Sequence, residues 1–229
     1  MSNEPRTETP APEGASEHLP NDKRSSFLGF SAHEIRNPLS TALWSAELLA
    51  RLSSEERGGA RGEKLSGMCL RALRRLKILV EDHFLSERLA IGGLPLRLEV
   101  VTVAEAIASI AGKAGVVNLS LDLPQGLAVR ADRGMLEHAL EALLAAAARE
   151  GAPVRVEGAR TDDEVRLKVR GAPPAPDALA MPQKGTPSDP SGRALALYTA
   201  RRVAAALGGS LSASADAYVL ALPIAADPH

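Results

Sequence analysis

The sequence predicts an α-helical hairpin that forms a dimeric four-helix bundle, followed by an α+β sandwich. Three observations favour this fold class. Two long amphipathic segments flank a short charged loop within residues 24–90. Short strand-like and helix-like segments then alternate over residues 95–224. A Gly-Gly-Leu-Pro break separates these two patterns, as expected where a helix stops.

The helical part is predicted over residues 24–90, after a Pro-, Glu-, Ser- and Thr-rich segment (residues 1–23) that is typical of a disordered tail. The loop 53–59 carries charges and two glycines, and the second helix is expected over 62–89. One such hairpin leaves an apolar face uncovered, so we expect a homodimer. On the first helix, the apolar stripe predicted by spacings of three and four comprises Leu28, Ile35, Leu39, Ala42, Ala46 and Leu49.

The sandwich is predicted as helices on one face of a mixed sheet, with a Pro- and Gly-rich loop at 171–191 and a short tail at 225–229. Its helices are expected at 103–111, 132–150 and 193–207. Its strands are expected at 96–101, 117–123, 127–130, 154–157, 165–169, 210–214 and 218–222.

The composition argues against several classes of protein. Apolar residues make up 45% of the 229 residues but aromatic residues only 3%, so Leu, Val, Ile and Ala must form the core. The formal net charge of −1 gives no reason to expect nucleic-acid binding. No apolar run reaches the roughly 18 residues of a membrane span, and no secretory signal is visible. The single cysteine, Cys69, fits a reducing compartment. We therefore expect a cytoplasmic protein without membrane contact.

The segment that carries most chemical information is Ser31–Leu39, with the sequence SAHEIRNPL. His33 lies about 160° around the helix from Ile35, at the centre of the stripe, so its imidazole should face solvent. A solvent-facing imidazole beside the Glu34 carboxylate is a nucleophile next to a proton acceptor. Pro38 lacks an N–H group and should loosen or bend the helix one turn later. A lone surface histidine would usually be only a solvated group. Asn37, Ser40 and Trp44 are expected on the same outward side.

This segment resembles the phosphoacceptor box of sensor histidine kinases, and Arg24–Leu28 resembles the lead-in to that box. More weakly, the resemblance extends over residues 24–224. It implies that His33 carries a phosphoryl group on a ring nitrogen and that Glu34 assists its proton chemistry. It also implies that Asn37, together with Glu34, positions water for dephosphorylating a partner receiver domain.

The second part has the element order of the family's ATP-binding domain but departs from its three nucleotide-binding motifs. The Asn-rich helix that holds magnesium has alanine at the expected positions, which offers no oxygen ligand. The adenine-reading Asp-x-Gly-x-Gly turn is replaced by a turn without a carboxylate. Of three phosphate-loop glycines two are alanine, and a Cβ blocks close backbone approach to a phosphate. We expect no useful ATP binding at these positions, which are Ala142, Ala146, Gly171, Ala175, Gly192, Ala194 and Ala196.

The resemblance therefore points to a histidine phosphotransferase of a two-component phosphorelay. His33 would accept a phosphoryl group from a receiver-domain aspartate and pass it to another receiver. No cofactor is expected on this chain, and magnesium would sit on the receiver. Expected partners are receiver domains and a hybrid histidine kinase. The residues expected to dock the receiver are Arg36, Pro38, Ser40 and Trp44.

Three alternatives stay open: a divergent sensor kinase, a pseudokinase phosphorylated by another kinase, and a binding protein that sequesters a receiver or kinase without phosphotransfer. Trp44 is either a packing residue under the second domain or an anchor for a docking protein. His83 is expected to be partly buried, and no function is expected for His138, His18 or His229.

Overall fold

The structure is a computed structural model that describes residues 21–161, 163–183 and 193–225. Two helices of 31 residues each, α1 (Asn21–Arg51) and α3 (Ala60–Ala90), pack against each other as the predicted hairpin. Helix α1 covers Asn21–Arg51, so the predicted tail is wrong for residues 21–23. Residues 1–20 and 226–229 lie outside the described residues.

The connection between the two long helices contains a short helix, α2 (Ser54–Arg57), where the sequence predicted only a loop. Ser53 begins it with a capping box: the Glu56 backbone N–H donates to Ser53 Oγ, and the Ser53 N–H donates to the Glu56 carboxylate. Hydrogen bonds from the Ser53 backbone N–H and the Ser53 side chain to the carboxylate lower the pKa of Glu56. The short helix therefore follows from a local signal that the two nearby glycines obscured.

The face of α1 that packs within the chain differs from the predicted stripe. Leu28, Leu39 and Ala46 of the stripe are exposed, and Ala42 is buried as predicted. The predicted stripe lies across two neighbouring faces of the helix, and only one of them meets α3. The buried residues of α1 are Phe27, Phe30, Ser31, Glu34, Pro38, Ala42 and Ser45. The helix continues through Pro38.

The second part is the predicted α+β sandwich. A mixed five-stranded sheet has the order β2-β4-β5-β7-β6, in which β2 and β4 are parallel and the other pairs antiparallel. Strands β1 and β3 form a separate antiparallel pair. The strands are β1 (Glu99–Thr102), β2 (Leu119–Asp122), β3 (Ala128–Ala131), β4 (Val154–Arg160), β5 (Glu164–Arg170), β6 (Ser210–Ala213) and β7 (Ala217–Pro223).

Three helices accompany the sheet: α4 (Val103–Ile110), α5 (Arg133–Ala147) and α6 (Arg193–Ala206). Strand β5 buries Val165, Leu167 and Val169, while the residues between them are more exposed, so one face of the sheet is covered by helices. The core is made of Leu, Val, Ile and Ala side chains, as the composition predicted. The helical hairpin and the α+β sandwich expected from the sequence are confirmed, and the dimeric four-helix bundle stays a prediction.

The two parts also contact each other, because α6 packs against α3. A small cluster of buried residues joins α1, α3 and α6, formed by Phe27, Leu79, Leu195 and Tyr198. The imidazole of His83 stacks on the Phe27 ring with ring centroids 5.5 Å apart, which confirms its predicted role as a partly buried residue. Within the described residues, no helix is long and apolar enough to cross a membrane.

Candidate phosphoacceptor site

The predicted acceptor, His33, lies on α1 with its side chain 60% exposed. Its Nδ1 atom is 3.6 Å from Oε1 of Glu34, whose side chain is only 2% exposed. The other Glu34 oxygen, Oε2, accepts a hydrogen bond of 3.1 Å from Nη2 of Arg75 on α3. The imidazole therefore faces solvent as predicted, whereas the carboxylate beside it points into the seam between α1 and α3. The sequence analysis did not single out Arg75.

The residues predicted to dock a partner divide into two groups. Arg36, Ser40 and Trp44 are exposed, and Asn37 is exposed as expected. Trp44 is 53% exposed, which contradicts the interpretation that it packs under the second domain. Pro38 is buried, so its prediction as a docking residue is wrong, because it lies on the face of α1 that meets α3.

A cavity of about 400 Å³ lies one helical turn from His33, between α1 and α3. Asn37 and Pro38 contribute from α1, while Arg71 and Arg75 contribute from α3. Since Arg75 also binds Glu34, the polar groups around this cavity continue directly into the phosphoacceptor site.

A second cavity, of about 670 Å³, lies where α3, α5 and α6 meet. Asp82 is buried in its wall, and Nε2 of His138 on α5 lies 3.0 Å from the Asp82 Oδ1 atom. The contact does not have hydrogen-bond geometry, since His138 Nε2 and both Asp82 carboxylate oxygens lack a hydrogen-bond partner among the described residues, and it becomes an ion pair when His138 is protonated. His138 therefore contacts the hairpin from the sandwich, a contact that the sequence analysis did not predict. His18 and His229 lie outside the described residues.

Cationic side chains line the same cavity: Lys113, Arg149 and Arg193. The phenol of Tyr218 is buried near two of them. Burial raises the pKa of Tyr218, and the Arg149 and Arg193 guanidinium groups partly oppose this rise. This end of the sandwich is therefore both charged and partly desolvated.

Two of the positions expected to have lost nucleotide binding line this cavity. Ala142 and Ala196 line the cavity, while Ala146 is buried in the core of the sandwich. A Cβ on Gly171 would lie 2.3 Å from the Ala147 carbonyl oxygen, so this glycine is needed for packing. Ala175 is exposed, Ala194 is partly exposed, and Gly192 lies outside the described residues. Among the described residues, no cluster of three or more His, Cys, Asp or Glu side chains could hold a metal ion.

The sequence analysis missed Arg75 and Asp82, which pair across the fold with Glu34 and His138. One signal was available, because Asp82 follows the buried Leu79 by three positions on α3 and so falls on an inward-facing position. An acidic residue at such a position predicts a partner from another element. No comparable signal pointed to Arg75, because α3 carries several arginines and nothing in their spacing sets Arg75 apart from the others.

Comparison with known proteins gives consistent results. No protein-family model matches the chain. The signal transduction histidine-protein kinase AfsQ2 of Streptomyces coelicolor is 33% identical over 155 residues, a match that covers 63% of this chain. That match covers 29% of AfsQ2, so this chain corresponds to less than a third of the relative's length.

Two solved structures share the fold. The histidine kinase AdeS of Acinetobacter baumannii superposes with a TM-score of 0.67 at 17% identity, covering 85% of this chain and 98% of that chain. Full-length ShkA, solved in complex with AMPPNP, gives a TM-score of 0.56 at 23% identity, covering 89% of this chain and 46% of that chain. The fold shared with these structures is a helical hairpin joined to an α+β domain. In sequence, the chain is similar to a sensor histidine kinase over 155 residues.

Proposed function

We propose that this chain is a histidine phosphotransferase that accepts a phosphoryl group on His33 from a receiver-domain aspartate and passes it to another receiver. The observation that carries the proposal is the exposed His33 imidazole, with Nδ1 held near the buried Glu34 carboxylate. This arrangement leaves Nε2 on the solvent side, where a receiver could approach it. Glu34 orients the ring and stabilises the positive charge that develops on it.

The proposed reaction forms one covalent bond on this chain, the bond between His33 and phosphorus. Nε2 of His33 attacks the phosphorus in line, the bond from phosphorus to the aspartate oxygen breaks, and the electron pair leaves with the aspartate carboxylate. A magnesium ion on the receiver stabilises the charge on the transferred group, so this chain need not supply a metal site. The reverse reaction with a second receiver completes the transfer.

The second part of the chain supports a phosphotransferase rather than a kinase. Ala142 and Ala146 stand where the family resemblance expects asparagines, and alanine cannot hold magnesium. Both side chains are buried at 9% exposure or less, so they pack into the domain. The alanines keep the sandwich folded, and the phosphoryl group must come from another protein.

The expected assembly is a homodimer that docks receiver domains. Leu28 and Leu39 form part of an exposed apolar face on α1, and a second hairpin would cover it. Beside His33, the exposed Arg36, Ser40 and Trp44 supply polar and aromatic contacts of the kind that receiver docking needs. Asn37, which is exposed one turn after His33, would position water for dephosphorylation of the receiver, as the family resemblance implies.

The test is phosphoryl transfer from a panel of receiver domains loaded with radiolabelled phosphate. We expect the chain to gain an acid-labile label that is lost in His33→Gln and kept in His83→Gln. His83 is the matched control because it is a partly buried histidine on the neighbouring helix. If the wild-type chain stays unlabelled but binds a receiver, it sequesters that receiver and the proposal is wrong.

A divergent kinase is the second candidate, and one observation favours it. The cavity of about 670 Å³ between α3, α5 and α6 is lined by Lys113, Arg149 and Arg193, which could attract phosphates. Calorimetric titration with magnesium-ATP distinguishes the two functions. We expect no binding, whereas magnesium-dependent binding at about micromolar affinity with labelling of His33 by ATP alone would identify a kinase.

A further inference from the structure

We propose that the sandwich holds the phosphoacceptor helix in position through Leu195 and Tyr198 of α6, two residues that we call the clamp. They keep the part of α1 that precedes Pro38, and with it His33, aligned with the rest of that helix. Tyr198 is therefore a positioning residue for phosphotransfer. This role rests on the proposed function, because it concerns the reaction at His33, whereas the clamp itself can be tested without a receiver.

Pro38 divides α1 into two parts that are coupled less tightly than the parts of an ordinary helix. Proline lacks the N–H group that would donate to the Glu34 carbonyl oxygen, and its ring crowds that carbonyl. The helix nevertheless continues through Pro38, from Asn21 to Arg51. Because helices in proteins owe most of their stability to tertiary packing, the part that carries His33 depends on contacts from other elements to stay aligned.

The first of these contacts is made by the Phe27 ring, which is 2% exposed. It meets one ring from each of two other helices: the His83 imidazole of α3 and the Tyr198 phenol of α6. Both ring centroids are 5.5 Å from that of Phe27, and the Tyr198 ring is tilted by 58°. Phe27 is therefore held by the hairpin and by the sandwich together.

The second contact lies on the other side of the phosphoacceptor along the helix. Ile35 packs against the same buried cluster, to which α6 contributes Leu195 and Tyr198. Since His33 lies between Phe27 and Ile35 in sequence, α1 is supported before and after the acceptor.

Helix α6 is itself restrained at the clamp. Thr199 is fully buried, and its hydroxyl oxygen lies 2.9 Å from the Leu195 carbonyl oxygen and 3.3 Å from the Asp82 carbonyl oxygen on α3. Nη1 of Arg202 donates a hydrogen bond of 2.7 Å to the Tyr198 hydroxyl, and the same guanidinium lies over the Tyr198 ring, 5.6 Å from its centroid. The clamp therefore has a fixed place against α3 and a fixed ring orientation.

The position of Pro38 explains why alignment matters for the reaction. The acceptor His33 precedes the proline, whereas Ser40 and Trp44, which are proposed to dock the receiver, follow it. A bend at Pro38 would move the acceptor relative to the docked receiver, and a misplacement of about 1 Å can lower a rate by about 100-fold. The clamp thus gives the sandwich a role that needs no nucleotide.

The clamp is tested by hydrogen–deuterium exchange of the full chain, read by mass spectrometry over residues 25–37, 39–51 and 164–170. Tyr198→Ala removes the ring, and Tyr198→Phe keeps it. Leu167→Ala is the matched control, because Leu167 is a buried residue of the sandwich core on β5 and does not belong to the cluster at the clamp. The same variants are then compared as acceptors from a receiver domain phosphorylated with radiolabelled acetyl phosphate.

We expect Tyr198→Ala to speed exchange about tenfold over residues 25–37, and by less than about twofold over residues 39–51 and 164–170. Its phosphotransfer rate should fall by about tenfold. Tyr198→Phe should match the wild type in both measurements, and Leu167→Ala should speed exchange in the sandwich but not over residues 25–37. Equal acceleration in all three segments, no acceleration in any, or faster exchange with an unchanged transfer rate would overturn the proposal.

Pro38 provides a second test, because Pro38→Ala restores the missing N–H group. In that background Tyr198→Ala should speed exchange over residues 25–37 by only about twofold, and a full tenfold effect would contradict the inference. If Tyr198→Ala does not fold, Tyr198→Leu keeps an apolar side chain and should give the same pattern with an effect of about threefold. If exchange responds as expected but receivers never label His33, the proposed function fails and the clamp on α1 remains.

Discussion

The ion pair between Asp82 and His138 makes a sharp prediction about stability. Asp82 is 1% exposed, and its Oδ1 atom lies 3.0 Å from Nε2 of His138, which forms the ion pair when the imidazole is protonated. At that distance an effective dielectric constant of about 20 gives an attraction of about 5 kcal/mol, which the desolvation of both groups largely offsets. Replacing only His138 removes the attraction and leaves the carboxylate buried.

We expect His138→Leu to lower the free energy of unfolding by about 3 kcal/mol, the lower end of the range for breaking a buried pair. The lower end applies because the His138 side chain is 31% exposed and the adjoining cavity can admit water to the carboxylate. In an Asp82→Asn background the same change should cost about 1 kcal/mol, so the two sites are coupled by about 2 kcal/mol.

Urea denaturation followed by far-ultraviolet circular dichroism measures these differences, provided that the slope of free energy against urea stays constant among variants. Lys77→Met is the control, because Lys77 pairs with Glu81 on the exposed side of the same helix. That variant should change stability by less than about 0.5 kcal/mol. Additive effects of the Asp82 and His138 changes, or a cost of His138→Leu no larger than the control's, would refute the reasoning.

Three further predictions concern the sandwich. Asp132→Ala should cost about 1 to 2 kcal/mol in urea denaturation, because Asp132 accepts the capping hydrogen bond of α5 and a second backbone bond from the segment before β1. Gly171→Ala should cost about 1 to 3 kcal/mol, since its Cβ would collide with the backbone carbonyl of Ala147. Burial raises the pKa of Tyr218, so the folded state binds the phenol proton more tightly than the unfolded state. The resulting stability is complete below about pH 10 and is lost as the pH rises through the folded-state pKa, an effect that Tyr218→Phe should remove.

Each of these has its own check. Asp132→Asn keeps a capping oxygen and should lose much less than the alanine variant; equal losses would contradict the capping argument. Gly151→Ala should cost less than Gly171→Ala, since open space surrounds the position of its Cβ and only its positive φ opposes the change. For Tyr218, ultraviolet titration of tyrosinate in a Tyr198→Phe background isolates the one remaining phenol. Ionisation at the ordinary tyrosine pH would contradict the burial argument.

The local elements of the sandwich followed from the sequence because their signals are local. Alternating apolar residues located β4 and β5, and Asp132 followed by an Ala- and Leu-rich run located α5. The start of β1 was less well placed, at residue 96 instead of Glu99, because Leu96 and Leu98 extend the apolar pattern beyond the paired residues. Pairing depends on β3, which is distant in sequence.

The site was predicted only in part. The position and exposure of His33 followed from the helical period, but the partner of Glu34 did not, because Arg75 is 41 residues away. A helical wheel for α1 could not separate the face that meets α3 from the face that would meet a second hairpin, since both are apolar. That is why Pro38 was assigned to the docking surface and Leu39 to the core. Contacts between elements decide which face of a helix is buried, and the sequence of one helix alone does not show those contacts.

The buried polar side chains of the hairpin have a consequence for its folding specificity. Two apolar helices can slide along each other at little cost, because most of the side chains at their interface are interchangeable. A slip of one turn, about 5.4 Å, would separate Glu34 from Arg75 and break this partly buried ion pair. The pair therefore excludes misaligned hairpins. In doing so it fixes the height of His33 along the bundle, and with it the place where any partner must dock.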